Sequence, residues 1–175
     1  MSFSHSPHSD HSKSINDFLK FGYDVFSPQN VQIGKLIKLK NWQILPMQLS
    51  HNVKCYGFLI HSIIENKNIA YITDTTFIPN LNLANIDLLI IECNYDQDIV
   101  KKCEEENITV NMGYKNHLSL QQLEAYLKNK EIKIKNLVAY HLSNSGLINI
   151  HKMTDILSQY CENFYISKPN TVILI

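Results

Sequence analysis

The 175-residue chain contains no arginine. Its basic side chains are lysines and eight histidines, so the forked guanidinium that clamps phosphate through two parallel hydrogen bonds is missing. Any phosphate contact must come from lysine, backbone N–H groups or a metal ion. Net charge is lacking too, because 16 lysines are matched by 16 acidic residues. A neutral chain has no strong non-specific grip on nucleic acid. No stretch is long and apolar enough to span a bilayer. The polar, histidine-rich start is unlike a signal peptide. Cysteine is sparse and unpatterned: Cys55, Cys93, Cys103 and Cys161 show no CxxC spacing, which speaks against a zinc ribbon or a redox pair. They read as buried thiols in a reduced, cytoplasmic setting, with two disulfides as the alternative. No repeat or flexible linker stands out, so the length predicts a single domain over residues 1–175 with a proper core.

What is present is a switch in periodicity. Residues 9–21 predict a helix, capped by Ser9 or Asp10, with an apolar stripe of Ile15, Phe18 and Leu19 and a stop at Gly22. Strands are predicted over 23–26, 32–40, 43–49, 56–64 and 69–73, the last two joined as a hairpin through Glu65-Asn66-Lys67-Asn68. The continuous apolar run from Asp87 to Cys93 predicts a fully buried strand. Helices follow over 96–106 and 118–128, the second capped by Ser119. A strand over 137–141, a helix over 148–160 and closing strands over 164–166 and 171–175 complete the pattern. Antiparallel β followed by βαβ alternation predicts an α/β chain, a mixed sheet with helices outside.

The chemistry concentrates in His5-Ser6-Pro7-His8-Ser9-Asp10-His11. Imidazole nitrogen and carboxylate oxygen are ligands suited to zinc, manganese or iron. A solvated polar tail is the bland alternative. Later positions decide between the two. His51 follows one predicted strand, Asp74 follows another inside ITDTT, and His141 closes a third; His117 stands just before a helix in NHLS. Apolar strands that end in metal-type residues place those residues at one sheet edge, facing a cleft. His61 and His151 have no place in this pattern and read as surface residues.

In this order the residues resemble the metallo-β-lactamase-fold hydrolases, whose members carry H-x-H-x-D-H, then a single His, a single Asp and a last His. His8-Ser9-Asp10-His11 matches the end of the first motif, and His51, Asp74 and His141 match the later ligands. The phrases LSHNV at 49–53, ITDTT, IECNYD at 91–96, NHLSLQQ and the HLS at His141 are similar to the WalJ/YycJ-like exonuclease branch, from about Ser4 to Asn149.

The resemblance implies an αββα sandwich and two divalent ions, zinc or manganese. One ion would be held by the first two histidines of the motif, His5 and His8, and by His51; the other by Asp10, His11 and His141; Asp74 would bridge them. Two cations ~3.5–4 Å apart lower the pKa of a shared water to near neutrality and stabilise charge on a phosphoryl oxygen. It also implies catalytic roles for Asp10 and for His117, the latter contacting phosphate or protonating the leaving oxygen. Glu92 or Asn94 would orient a ligand histidine, a strand-end turn being the plain alternative.

Two features depart from the pattern. The motif here is H-x-x-H-x-D-H, so either His5 reaches the first ion from one residue too early, or Ser6 occupies its slot. The motif also begins at residue 5, where family members carry preceding strands, so an upstream segment or a partner chain is expected to complete the sheet. The functional expectation is hydrolysis of a phosphodiester, most simply as a nuclease on DNA. The alternatives are a small phosphodiester or ester substrate, or a catalytically silent fragment or subunit. Lys128, Lys130, Lys133 and Lys135 could form a basic face, or a solvated surface.

Overall fold

The computed structural model describes residues 1–6, 15–81, 84–129, 132–168 and 172. In chain order the elements are β1 (Ser2–Phe3), α1 (Ile15–Lys20), β2 (Val25–Phe26), β3 (Ile37–Lys38), β4 (Trp42–Leu49), β5 (Cys55–Ser62) and β6 (Lys67–Ile72). They continue with β7 (Asn85–Glu92), α2 (Gln97–Glu105), α3 (Leu120–Lys128), β8 (Lys133–Tyr140), α4 (Ile150–Leu157) and β9 (Asn163–Ile166). Alternating apolar residues let β4 and β5 pair antiparallel along their full length, from Trp42 opposite Ser62 to Leu49 opposite Cys55. A turn with Asn66 in the left-handed region (φ 52°) returns the chain as β6. From β6 onward the pairing is parallel: a crossover segment after Ile72 separates β6 from β7, α2 and α3 lie between β7 and β8, and α4 lies between β8 and β9.

Among the described residues this gives a seven-stranded sheet in the order β3-β4-β5-β6-β7-β8-β9. Strands β4, β6, β7 and β8 run in one direction, so their C-terminal ends reach the same edge. One face packs on α3 and α4 through Leu120, Leu123, Leu127, Met153 and Leu157 against Ile72, Leu89, Ile91 and Leu137. The other face carries Ile44, Tyr56, Phe58 and Ile60 beneath the parallel pair β1–β2, with Phe3 set 5.0 Å from the Phe58 ring.

Several expected elements differ. Of the helix expected over 9–21, residues 9–14 lie outside the described residues, and α1 spans only Ile15–Lys20. Its apolar stripe is not a core face: no residue of α1 is buried, and Phe18 and Leu19 are exposed. The stretch expected as a strand over 32–40 keeps only Ile37–Lys38, because a turn with Gly34 at φ +70° interrupts it. Strand β8 starts at Lys133, earlier than expected, where neighbouring β7 supplies register from Asn85. The closing strand expected over 171–175 falls almost wholly outside the described residues. Cys55 and Cys93 are buried and Cys103 and Cys161 half-buried; all four are free thiols. Burial pushes the Cys55 and Cys93 thiols up to about 12, so neither is a nucleophile near neutral pH.

Candidate metal centre

Strand ends build the site. Asp74 follows β6 and His141 follows β8, each with a left-handed backbone (φ 55° and 52°) that turns the chain sharply off the sheet edge. Glu92 is the last residue of β7 and is fully buried. His51 follows β4, in a loop pinned to the Asp74 loop by the Thr76 N–H donating to the Ser50 carbonyl at 2.9 Å. His5 follows β1 and is fixed by the Tyr56 N–H donating to its carbonyl at 2.8 Å. His117 ends a 3-10 turn over Met112–Asn116, just before Ser119 caps α3.

These side chains meet around the Asp74 carboxylate, whose side chain is 2% exposed. Its Oδ2 lies 3.1 Å from His5 Nε2 and 3.9 Å from His51 Nε2. Its Oδ1 lies 3.3 Å from His141 Nε2 and 3.8 Å from His117 Nδ1. Glu92 stands behind the second pair, with Oε2 at 3.0 Å from His117 Nδ1 and 3.5 Å from His141 Nδ1. Its Oε1 accepts hydrogen bonds from the Thr75 and Leu118 backbone N–H groups at 2.6 and 3.2 Å. Burial alone would raise the Glu92 carboxyl; hydrogen bonds from His117, His141 and Thr75 outweigh it and hold the group below its ordinary value. Ligand atoms of Asp74, Glu92, His117 and His141 all lie within 4.8 Å of one another, close enough to share an ion.

The ring tautomers fit a cation. His51 Nδ1 donates to the Asn116 carbonyl at 3.0 Å, a partner that can only accept. Burial lowers the His51 pKa, which favours the neutral ring. Its Nε2 then presents a lone pair toward a carboxylate oxygen 3.9 Å away. Two acceptors facing each other beyond hydrogen-bond distance are reconciled by a positive ion between them. His5 approaches the same oxygen more closely: its Nε2 is within hydrogen-bond distance of Asp74 Oδ2 at 3.1 Å, and its Nδ1 is 3.1 Å from the Tyr71 hydroxyl. Such outer partners hold a ligand imidazole in one orientation.

Of the residues singled out in the sequence, the structure therefore brings together His5, His51, Asp74, His117 and His141. His8, Asp10 and His11 lie outside the described residues. Ser6 is buried in the strand-to-loop turn after His5. His151 is exposed; His61, expected at the surface, is half-buried on β5 with Nδ1 2.9 Å from Asn68 Oδ1. Of the lysines, Lys130 lies outside the described residues, while Lys128, Lys133 and Lys135 are exposed.

The fold itself recurs among solved structures. YhfI from Bacillus subtilis, a metallo-β-lactamase fold protein, superposes with a TM-score of 0.64 over 99% of this chain and 77% of its own length, at 18% identity. The chain has the metallo-β-lactamase fold. PDE1 from yeast gives a TM-score of 0.66 at 10% identity, covering 96% of this chain and 66% of that one. The short form of human tRNase Z gives 0.56 at 15% identity, covering 99% and 66%. Identities this low establish the metallo-β-lactamase fold and nothing finer. No protein-family profile matches the chain, and no curated protein does. Among the described residues no helix is long and apolar enough to cross a membrane.

Within the metallo-β-lactamase fold, Glu92 was only partly legible in the sequence and Tyr71 not at all. Glu92 is a direct member of the four-residue group, not merely a neighbour of it. The available signal was a carboxylate ending the otherwise apolar run of β7. Tyr71 carried no signal at all, since a tyrosine in a strand ordinarily reads as packing.

Proposed function

We propose that the chain is a metal-dependent phosphodiesterase, a nuclease of the WalJ/YycJ-like kind acting on DNA, with two divalent ions, zinc or manganese. The observation that carries this reading is the division of Asp74: one oxygen faces His5 and His51, the other faces His141 and His117. A carboxylate shared between two sets of imidazoles is what a pair of cations requires to offset their mutual repulsion. His5 and His51 would hold one ion and His141 the other, with His8, Asp10 and His11 completing the sets and Asp74 bridging. When bound, such a pair activates water near neutral pH and stabilises charge on a phosphoryl oxygen. Glu92 keeps His117 and His141 oriented by accepting from their Nδ1 atoms. His117, partly exposed at the mouth of the cluster, donates the proton that the leaving oxygen takes up. The presence of a tRNase among the proteins sharing the fold supports a phosphodiester substrate.

The test is Asp74→Ala. The wild-type chain, loaded and desalted, is expected to retain two ions by elemental analysis and to cleave bis(p-nitrophenyl) phosphate. The variant is expected to lose both ions and at least about 10³-fold in kcat/KM, on the scale of removing a directly acting charged group. Full activity with Asp74 removed would end the assignment.

A further inference from the structure

A cavity of about 180 Å³ opens beside the cluster, lined by Asn94, Asn111, Tyr114, His117, Ser143 and Ser145 among others. No lysine, aspartate or glutamate lines it. A second, larger cavity, of about 260 Å³, is lined by Phe77, Ile78, Leu118 and Tyr126 and includes none of the six clustered residues. The smaller one opens onto the cluster through His117.

Its chemistry is specific. The Asn94 side-chain amide donates to the His141 carbonyl at 2.9 Å, which leaves its own carbonyl oxygen as an acceptor. The Asn111 side-chain oxygen accepts from the Gly113 N–H at 2.9 Å, which leaves its NH₂ as a donor. Ser143 and Ser145 add hydroxyls 2.6 Å apart that can serve in either sense. Rings complete the walls. Tyr114 packs against Tyr95 at 4.9 Å between centroids, and His117 against His141 at 4.9 Å. His117 aside, a phosphate would find no cationic side chain here. A flat, uncharged group with donors and acceptors along its edge finds carboxamides for that edge and π-faces for its plane.

Resting on the phosphodiesterase reading of the adjacent cluster, we propose that this cavity receives the nucleobase of the nucleotide being cleaved. A base seated there is unpaired and unstacked, which favours a strand end, a single strand or a small nucleotide diester, because a duplex interior adds the cost of extruding the base. This accords with a chain of zero net charge and no arginine, which has little means of following a long backbone.

The experiment has a binding arm and a turnover arm, both on the metal-loaded chain. Calorimetry compares thymidine 5′-monophosphate with 1,2-dideoxyribose 5-phosphate, in which hydrogen replaces the base. The nucleotide is expected to bind at least tenfold more tightly. Ser145→Phe, an exposed position whose new ring fills the cavity, is expected to shrink that ratio to within twofold, and Ser143→Ala to shrink it less. In the turnover arm the kcat/KM ratio of thymidine 5′-(p-nitrophenyl phosphate) to methyl p-nitrophenyl phosphate is expected to fall in the same order. Equal affinity for the two phosphates in the wild type, or a ratio indifferent to Ser145→Phe, overturns the base-binding assignment. Failure to turn over either ester overturns the hydrolase reading instead, and the calorimetric ratio still decides the cavity.

Discussion

Asp74 and His141 both hold a left-handed backbone, a conformation that costs non-glycine residues on the order of 1 kcal/mol and that aspartate and histidine tolerate better than most. Strain at two strand ends that aim side chains at each other is a sign of a site. Tyr71 shows how a single hydroxyl serves it. His5 stands one residue before the position the family motif predicts, yet its Nε2 lies 3.1 Å from Asp74 while Tyr71 holds its Nδ1 at the same distance. Tyr71→Phe is therefore expected to weaken binding of one ion about 10–100-fold, the range for losing an outer hydrogen-bond partner, with the second ion unaffected in a zinc titration. Unchanged affinity would mean that His5 needs no such support. A second consequence is acid sensitivity. Burial lowers His51 below its ordinary 6.5, so below that pH the unfolded chain binds the proton the folded one resists. Glu92 is held below its ordinary 4.5, so its contribution is present above that pH and lost as pH falls through the folded value. Both signs agree. The denaturant midpoint of the metal-free chain is expected to drop in two stages on acidification from pH 7, and His51→Gln should remove the upper stage only.

At the level of elements, placement of the site depends on how closely β5 and β6 approach. Gly57 sits where an added Cβ would lie 3.0 Å from the Tyr71 carbonyl oxygen and 3.2 Å from a Leu49 methyl. Both neighbours lead into the site, Leu49 toward His51 and Tyr71 toward Asp74. Gly57→Ala is expected to cost about 1–3 kcal/mol in chemical denaturation, as overpacking does, and to weaken metal binding as well. Alanine tolerated without loss of either would show that the two strands can part without moving the ligands. Much of this frame was legible because local signals agree with tertiary ones. The strands expected over 43–49 and 56–64, the apolar run of β7 and the Ser119 cap all became the elements expected, and Gln122 completes that cap as a box. The α1 stripe failed for a physical reason: Ile15, Phe18 and Leu19 give helical periodicity, but a six-residue helix beside a narrow two-stranded ribbon has no surface to bury them against. In the site, His51, Asp74 and His141 were legible because strand ends converge by topology. Tyr71 and Glu92 were not, or only in part, because their roles arise from contacts across 66 and 25 residues of sequence.

For the molecule as a whole, charge sets what kind of nucleic-acid contact is available. The sum is zero and arginine is absent, and several of the lysines are engaged by acidic side chains. Lys152 pairs with Asp96 and Asp98 at 2.8 and 2.6 Å, Lys67 with Asp87 at 3.1 Å and Lys128 with Glu124 at 2.7 Å. On the proposed nucleotide substrate, recognition would then rest on the cluster and on the uncharged groups beside it, with few phosphates neutralised outside. Counterion release makes that measurable, because the slope of log K against log salt is about −0.7 per phosphate neutralised on single strands. Catalytically silenced Asp74→Ala is unsuitable, since it forfeits the ions; a wild-type chain with a non-cleavable phosphorothioate oligonucleotide avoids that. Between 50 and 200 mM salt its affinity is expected to change with a slope no steeper than about −2, equivalent to roughly three phosphates. The slope should be the same for a trinucleotide and for a fifteen-nucleotide strand. A slope that steepens with strand length would instead reveal an extended basic track, and Lys133 and Lys135, exposed together on β8, would be the first side chains to neutralise in locating it.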